Sequence, residues 1–274
     1  MIAKKSLGQH FLRCAWVVNT LITAAKLTKK DTVLEIGPGT GILTRPLAAA
    51  SSEVIAVEKD ERLADSLAGA LAHEQIRNVR IIKGDFLQLT QTKFGSVRAP
   101  YKVVANIPYY LTGRLIRLLL GSPVKPSVIA LTVQKEVAER MIAKPPRMNL
   151  LALAVQAYGT PKIIKIVPAS CFSPKPKIDS AIIIISDISD DFFTKNAIGQ
   201  NAFFALARAA FGHKRKILVN TLPIGGSHTD PNLVWVSGNK IKIAKKLAVL
   251  GISPRARPEE LSLHNWAAVV KLFS

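Results

Sequence analysis

Short β-branched runs alternate with segments of helix length through the first two thirds of the chain, and this alternation constrains the fold most strongly. Val, Ile and Thr favour strands, and strands that alternate with helices build parallel sheets with crossover helices. The first five predicted strands cover residues 32–37, 53–59, 79–84, 101–106 and 127–134. The pattern therefore predicts an α/β domain.

Two further strands are predicted at residues 162–167 and 180–186, after a helical segment at 149–158. Because only a loop separates them, we expect them to pair antiparallel at one edge of the sheet. The sheet then has seven strands, with the last strand antiparallel.

The pattern becomes helical after residue 187, with turns rich in Gly, Ser and Pro. The boundary therefore falls near residues 187–192, and we predict domains at 1–188 and 189–274, the second small and all-helical. Its predicted helices cover residues 197–211, 214–221, 240–250 and 258–272.

Basic residues far outnumber acidic ones, with 38 Lys and Arg against 18 Asp and Glu, which gives a formal net charge of +20. Two stretches, residues 1–30 and 140–178, contain no acidic residue. Such a surplus favours a polyanionic partner, and nucleic acid is favoured over a membrane surface because no amphipathic anchor stands out.

The two cysteines, Cys14 and Cys171, lie too far apart in sequence for a metal-ligand spacing or a disulfide framework. We therefore expect a reducing compartment and no metal site. No secretory signal and no membrane-spanning run are visible, which predicts a cytoplasmic protein.

A glycine-rich loop, with Gly37, Gly39 and Gly41, follows the first strand. Glycines let the backbone turn tightly and let a ligand approach closely. Dinucleotide sites use G-x-G-x-x-G, which places a helix N-terminus at a pyrophosphate, whereas the spacing here is G-x-G-x-G. A cofactor without a pyrophosphate is favoured over a dinucleotide or a plain tight turn.

Polar or aromatic residues also end the next three strands: Glu58, then Asp85 with Phe86, then Asn106. A carboxylate at the first of these positions can accept both hydroxyls of a ribose. Any one of them could be an ordinary solvated strand end. Four such signatures at successive strand ends predict one shared pocket.

A stiff turn, Asn106-Ile107-Pro108-Tyr109, follows the fourth strand. Pro108 fixes its own φ and restricts the residue before it, while Asn106 offers an amide oxygen and Tyr109 a ring for stacking. This combination can hold a flat, amino-bearing ring by its edge and its face.

In the identity and order of these motifs, the chain resembles the ribosomal RNA adenine N6,N6-dimethyltransferases. These are a group of class I, Rossmann-like S-adenosylmethionine-dependent methyltransferases. Besides the motifs above, the resemblance rests on Ser6-Leu7-Gly8-Gln9-His10-Phe11-Leu12, Phe172-Ser173-Pro174-Lys175-Pro176-Lys177-Ile178-Asp179-Ser180, Phe211-Gly212-His213-Lys214-Arg215-Lys216 and Arg255-Ala256-Arg257-Pro258-Glu259-Glu260-Leu261. It runs nearly from end to end.

The resemblance implies roles for individual positions. His10 and Leu12 would close over S-adenosylmethionine, Gly37 would contact its methionyl part, and Glu58 would bind its ribose. Asp85 would hold its adenine, and Asn106 would border the sulfonium. The implied substrate is a pair of neighbouring adenines near the 3′ end of small-subunit RNA, in an assembling ribosomal particle, and the protein is expected to be a monomer.

For the reaction, we expect the Asn106 amide oxygen and the Ile107 carbonyl to accept hydrogen bonds from the two N–H groups of the target amine. Tyr109 would stack on one face of the swung-out base, and Phe172, expected in an exposed loop, on the other. The residues expected to hold the surrounding RNA are Lys4, Lys5, Arg114, Arg117, Lys144, Arg147, Lys214, Arg215 and Lys216.

Three alternatives remain open at this stage. The same turn would suit a resistance-type methyltransferase of large-subunit RNA, although the region from Arg255 to Leu261 favours the small-subunit type. A non-catalytic RNA-binding assembly or transcription factor could keep the fold. A DNA adenine methyltransferase is disfavoured because no duplex-recognition module is evident.

Overall fold

The computed structural model describes residues 9–88, 100–213, 216–222 and 240–273. Contacts divide the chain into two compact units, one of Met1–Glu139 with Gly159–Ile188 and the other of Arg140–Tyr158 with Ser189–Ser274. The chain passes from the first unit to the second after Ile188. Residues 140–158 differ from expectation, because they pack with the helical unit rather than with the sheet.

The first unit contains a seven-stranded sheet. Its strands are β2 (Thr32–Ile36), β3 (Glu53–Glu58), β4 (Val79–Lys83), β5 (Tyr101–Asn106), β6 (Val128–Gln134), β7 (Thr160–Val167) and β9 (Ser180–Ser186). They lie in the order β4-β3-β2-β5-β6-β9-β7. Strands β2 to β6 pair in parallel, and β9 is antiparallel to both β6 and β7. The predicted seven-stranded sheet with a reversed last strand is confirmed, with that strand lying inside the sheet and β7 at the edge.

Two short strands form a separate ladder that the sequence did not predict. Strand β1 (Phe11–Leu12) pairs antiparallel with β8 (Phe172–Ser173), so that Phe11 faces Ser173 and Leu12 faces Phe172. This ladder ties the start of the described chain to the loop before the last strand.

The helices of the described residues connect the strands and build the second unit. They are α1 (Ala15–Ala24), α2 (Thr44–Ala50), α3 (Glu61–His73), α4 (Thr112–Leu120), α5 (Lys135–Met141), α6 (Leu150–Gln156), α7 (Asp191–Asn196), α8 (Gln200–Phe211), α9 (Leu218–Thr221), α10 (Lys240–Val249) and α11 (Leu263–Phe273). None of them is long and apolar enough to span a membrane.

The core of the first unit lies between the sheet and its crossover helices. Helix α1 packs on β6 and β9, α2 on β3, and α3 on β3 and β4. Val33, Val54 and Val104 are fully buried, and Leu21 from α1 closes the same apolar cluster. Burial on both faces explains why these strands are continuous apolar runs, and it fixes the strand ends that form the pocket.

In the second unit, helix α8 packs against α6, α9 and α11 around the fully buried Trp266 and Phe203. The packing of α6 on α8 explains why residues 140–158 belong to this unit. Helix α7 was not predicted, and the predicted helix 258–272 begins later, as α11. Ser262 and Asn265 cap α11 reciprocally, each backbone N–H donating to the other's side-chain oxygen at 3.1 Å.

Candidate active site

A pocket opens at the carboxyl ends of the parallel strands β2 to β5, where open α/β sheets bind ligands. It brings together nearly all residues expected to act on cofactor or target. Those lining it are His10, Leu12, Gly37, Gly39, Glu58, Asp85, Phe86, Asn106, Ile107, Pro108, Tyr109 and Phe172. The exception is Gly41, which does not line the pocket.

The glycine loop serves two different purposes. The N–H of Gly39 donates to Oε2 of Glu58 at 3.1 Å, and φ is +57° at this residue, so the backbone itself forms the pocket wall. At Gly41, where φ is +80°, an added Cβ would meet Leu67 of α3 and lie 2.6 Å from the Arg45 guanidinium. Gly41 thus packs the loop against α3, and the cofactor contact expected for it stays a prediction.

Glu58 is the last residue of β3, and Asp85 follows the end of β4. Backbone N–H groups orient both carboxylates. The two oxygens of Glu58, which is 5% exposed, each accept one such bond, from Gly39 and from Asp60 at 2.8 Å. Asp85 accepts from the N–H of Leu87 at 3.0 Å and from Nζ of Lys59 at 2.9 Å. Burial acts to raise the pKa of Asp85, but these partners outweigh it and the pKa is lowered.

A third carboxylate, Glu35, lines the pocket from the end of β2 and has no role in the sequence prediction. It is 1% exposed, and its Oε2 makes no hydrogen bond of good geometry among the described residues, although the Thr44 hydroxyl lies nearby. Burial, opposed by Thr44 and reinforced by the charge of Glu58, raises the pKa of Glu35 to about 8. A buried carboxylate with a strongly raised pKa in a pocket is a candidate functional group.

The Asn106 turn has the stiff geometry expected from its sequence. Pro108 has φ −56° and ψ 133°, and its carbonyl accepts from the N–H of Leu111 at 3.0 Å. The side-chain Nδ2 of Asn106 donates to the His10 carbonyl at 3.3 Å. This bond directs the amide and leaves its oxygen as the acceptor for a ligand.

Aromatic rings surround this turn. The Tyr109 hydroxyl shares a 2.7 Å hydrogen bond with the Ser180 hydroxyl, and the ring of His10 stacks on Tyr109 with centroids 5.4 Å apart. Nδ1 of His10 donates to the Pro174 carbonyl at 2.7 Å. One face of Tyr109 is thus covered by His10, so a stacked base would use the other face.

The expectation that Phe172 lies in an exposed loop is wrong. Phe172 is 3% exposed, because its strand β8 pairs with β1 and its ring joins the apolar cluster below α1. It still lines the pocket, so its ring forms part of the wall.

The expectation that the two cysteines form no disulfide is also wrong. Cys14 and Cys171 form a disulfide, with Cα atoms 5.1 Å apart across 157 residues of sequence. Separation along the chain does not measure separation in space, and the β1–β8 ladder brings the two residues together.

Comparisons with known proteins identify the family of the chain. The sequence model of the family described as ribosomal RNA adenine dimethylase matches residues 2–250. The chain belongs to this family. Similar relatives named ribosomal RNA small subunit methyltransferase A occur in Dehalococcoides mccartyi, 39% identical over 96% of this chain and 86% of the relative, and in Pelotomaculum thermopropionicum, 37% identical over 98% and 91%.

Two solved structures share the fold over almost the whole chain. A dimethyladenosine transferase from Plasmodium falciparum superimposes with a TM-score of 0.76 and 25% identity, covering 95% of this chain and 96% of that one. The 23S rRNA methyltransferase ErmE superimposes with a TM-score of 0.70 and 22% identity, covering 96% and 99%. The adenine dimethylase chain thus has the Rossmann-like methyltransferase fold expected from the sequence.

The expected RNA-contact residues are distributed over both units of this dimethylase. Arg114 and Arg117 are exposed on α4, directly after the Asn106 turn, and Arg114 is close enough to help lower the pKa of Asp85. Lys144, Arg147 and Lys216 are exposed in the second unit. Lys4, Lys5, Lys214 and Arg215 lie outside the described residues.

Sequence reasoning missed Glu35, Lys59 and the cysteine pair. Glu35 carried a usable signal, since a carboxylate inside an otherwise apolar buried strand is costly unless it serves a ligand. Lys59 lies between two carboxylates in sequence, Glu58 and Asp60, and only the structure shows that it pairs with Asp85 instead.

Proposed function

We propose that this protein transfers methyl groups from S-adenosylmethionine to N6 of adenines, dimethylating two adjacent adenosines near the 3′ end of small-subunit ribosomal RNA. The observation that carries the proposal is the Asn106 amide at the end of β5, in one pocket with the strand-end carboxylates of Glu58 and Asp85. Family membership and the names of the relatives support the choice of substrate.

The polar groups of the pocket fit S-adenosylmethionine. Each Glu58 oxygen accepts one backbone N–H and keeps a further lone pair, which suits the two ribose hydroxyls. Asp85 suits the amino group of the cofactor's adenine. Oε2 of Glu35, buried without a hydrogen bond of good geometry in the described part of the chain, suits the ammonium of the methionyl part.

When bound, S-adenosylmethionine supplies an electrophilic methyl carbon on its sulfonium. The protein's task is to present the target nitrogen, whose lone pair is delocalised into the adenine ring. The Asn106 amide oxygen and the Ile107 carbonyl accept hydrogen bonds from its two N–H groups and hold the nitrogen closer to tetrahedral geometry. Such positioning is worth up to about 7–11 kcal/mol in well-oriented systems.

A dedicated general base is not needed in this scheme. The alkylated nitrogen is a much stronger acid than the starting amine, so its proton passes to water. The hydrogen bond from Asn106 to the His10 carbonyl keeps the amide oxygen turned toward the target throughout.

The target base lies against Tyr109, on the face that His10 leaves uncovered, and against the pocket wall formed by Phe172. Stacking of this kind contributes about 1–3 kcal/mol per base. A base that is paired or stacked within RNA must first swing out to reach this position.

The substrate is an assembling small ribosomal subunit in the cytoplasm, and the protein acts as a monomer. The net charge of +20 favours binding to the RNA backbone. Exposed Arg114 and Arg117 hold RNA near the pocket, while Lys144, Arg147 and Lys216 hold it on the helical unit. Lys4, Lys5, Lys214 and Arg215, which lie outside the described residues, add further RNA contacts.

The proposal is tested by offering one labelled methyl donor to unmethylated small subunits, large subunits and each naked RNA. We expect label in small subunits. Label confined to large subunits would replace the substrate with that of the resistance-type enzymes. Absence of label from every substrate, with the cofactor bound, would favour a non-catalytic assembly factor.

A further inference from the structure

We propose that Cys14 and Cys171 form a reversible, redox-sensitive cross-link that controls how readily the N-terminal wall of the pocket opens. The inference rests on the proposed function only in taking the pocket as the S-adenosylmethionine site. Since the chain has two cysteines and both lie at the same ladder, the cross-link is specified by position.

The cross-link lies at one end of the β1–β8 ladder. Cys14 follows β1 after Arg13, and Cys171 directly precedes Phe172 of β8. The N–H of Arg13 donates to the Cys171 carbonyl at 2.8 Å, which continues the ladder up to the disulfide. The bond therefore joins the two strands where the chain leaves the pocket.

The opposite end of the ladder is held without a covalent bond, by the hydrogen bonds of His10 with the Pro174 carbonyl and with Nδ2 of Asn106 and by the stacking of His10 on Tyr109. Between the two attachments lie Phe11, Leu12 and Phe172, which all line the pocket. A ladder of two residue pairs is marginal by itself, so the covalent bond strongly affects its opening.

The two sulfurs differ in accessibility, which gives the exchange an order. Cys14 is half-buried at the N-cap of the ten-residue helix α1, whereas Cys171 is 4% exposed. A small-molecule disulfide must reach a thiol before exchange can begin. Cys14, the more exposed of the two, therefore reacts first with the small-molecule disulfide, and Cys171 then displaces the bound small thiol.

The exchange is balanced without any further redox partner. Two protein thiols and one small-molecule disulfide give one protein disulfide and two small-molecule thiols. The sulfurs of Cys14 and Cys171 are oxidised, and those of the small disulfide are reduced. A small dithiol reverses the reaction, so the state of the pair follows the thiol–disulfide balance of its surroundings.

The oxidised protein should hold its pocket wall closed longer than the reduced protein. The experiment compares full-length protein treated with glutathione disulfide and protein treated with dithiothreitol. Thiols are counted first, then release of S-adenosylhomocysteine and hydrogen exchange at the Phe11 and Leu12 amides are measured. We expect no free thiol, severalfold slower release and slower exchange after oxidation.

The variant Cys14→Ser should release the ligand and exchange at the reduced rate under both treatments, and Cys171→Ala serves as the second variant. Two free thiols after oxidation would overturn the pairing. Equal release and exchange in the two states would overturn the control of opening. If the ligand binds in neither state, the proposed cofactor is wrong, and hydrogen exchange alone then decides the inference.

Discussion

At the scale of single residues, the side chain of Asn106 has the most direct task, because its amide oxygen must meet the target nitrogen. Its Nδ2 is already used in the bond to the His10 carbonyl, so the orientation of the amide is set before a base arrives. Residues that are arranged in advance need no reorganisation during the reaction.

The substitution Asn106→Ala removes this acceptor and leaves the strand-end carboxylates in place. We expect the rate of methyl transfer to fall by at least about 100-fold, which is the loss seen when a reacting group is misplaced, while cofactor affinity changes little. Single-turnover transfer and calorimetric titration measure the two effects separately. Asn201→Ala, at an exposed position of α8, is the matched control and should keep full activity. Retained dimethylation in Asn106→Ala would exclude the proposed role.

We expect Glu35 to make cofactor binding depend on pH. With its pKa raised to about 8 by burial, the carboxyl carries a proton at pH 7 in the free protein. A bound ammonium lowers that pKa, so binding releases the proton and affinity should rise as pH increases from 6 to 8. Calorimetry in buffers of different ionisation enthalpy measures the released proton directly.

Glu35→Gln is the control for this effect, because it keeps the size of the side chain and removes its proton equilibrium. We expect weaker binding and loss of the proton release that is due to Glu35. The same released proton in wild type and variant would show that the ammonium binds elsewhere.

At the scale of elements, the parallel strands and their polar ends were predictable from sequence, because burial on both faces makes each strand a continuous apolar run. The order of the strands was not predictable, since no local sequence feature shows that β9 lies between β6 and β7. The same limit applies to the β1–β8 ladder, whose two-residue strands carry no periodic signal. The burial of Phe172 and the pairing of Cys14 with Cys171 both follow from that ladder.

The packing of the glycine loop on α3 gives a test with an internal control. Gly41→Ala places a side chain at φ +80° against Leu67, and should cost about 1–3 kcal/mol of unfolding free energy. Gly69→Ala lies on the exposed face of α3 with no atom within 4 Å of the new Cβ. It should stabilise by about 0.5–1 kcal/mol. Urea unfolding measures both, and equal effects of the two variants would contradict the packing role.

At the scale of the whole molecule, a sheet unit and a helical unit share a large positive charge. Helix α4, with its two exposed arginines, begins directly after residues that line the pocket. Affinity for RNA should therefore fall steeply with salt. Removing two phosphate contacts, by Arg114→Gln with Arg117→Gln, should reduce the slope of log affinity against log salt by about 1.4–1.8. Filter binding to small-subunit RNA measures the slope.

The matched control for this measurement is Lys29→Gln with Lys30→Gln. These exposed lysines precede β2 and so lie at the amino ends of the strands, opposite the pocket. They should change the slope less than the α4 pair. An equal change for both pairs would indicate diffuse attraction rather than contacts beside the pocket.

The most direct test of the account is to map the modified nucleotides. Unmethylated small subunits are incubated with the protein and S-adenosylmethionine, and nuclease fragments of the RNA are analysed by mass spectrometry. The account predicts two adjacent N6,N6-dimethyladenosines in one fragment near the 3′ end, absent with Asn106→Ala. Methylation at any other atom or base, or an unmodified 3′ fragment from small subunits incubated with cofactor-bound protein, would contradict it.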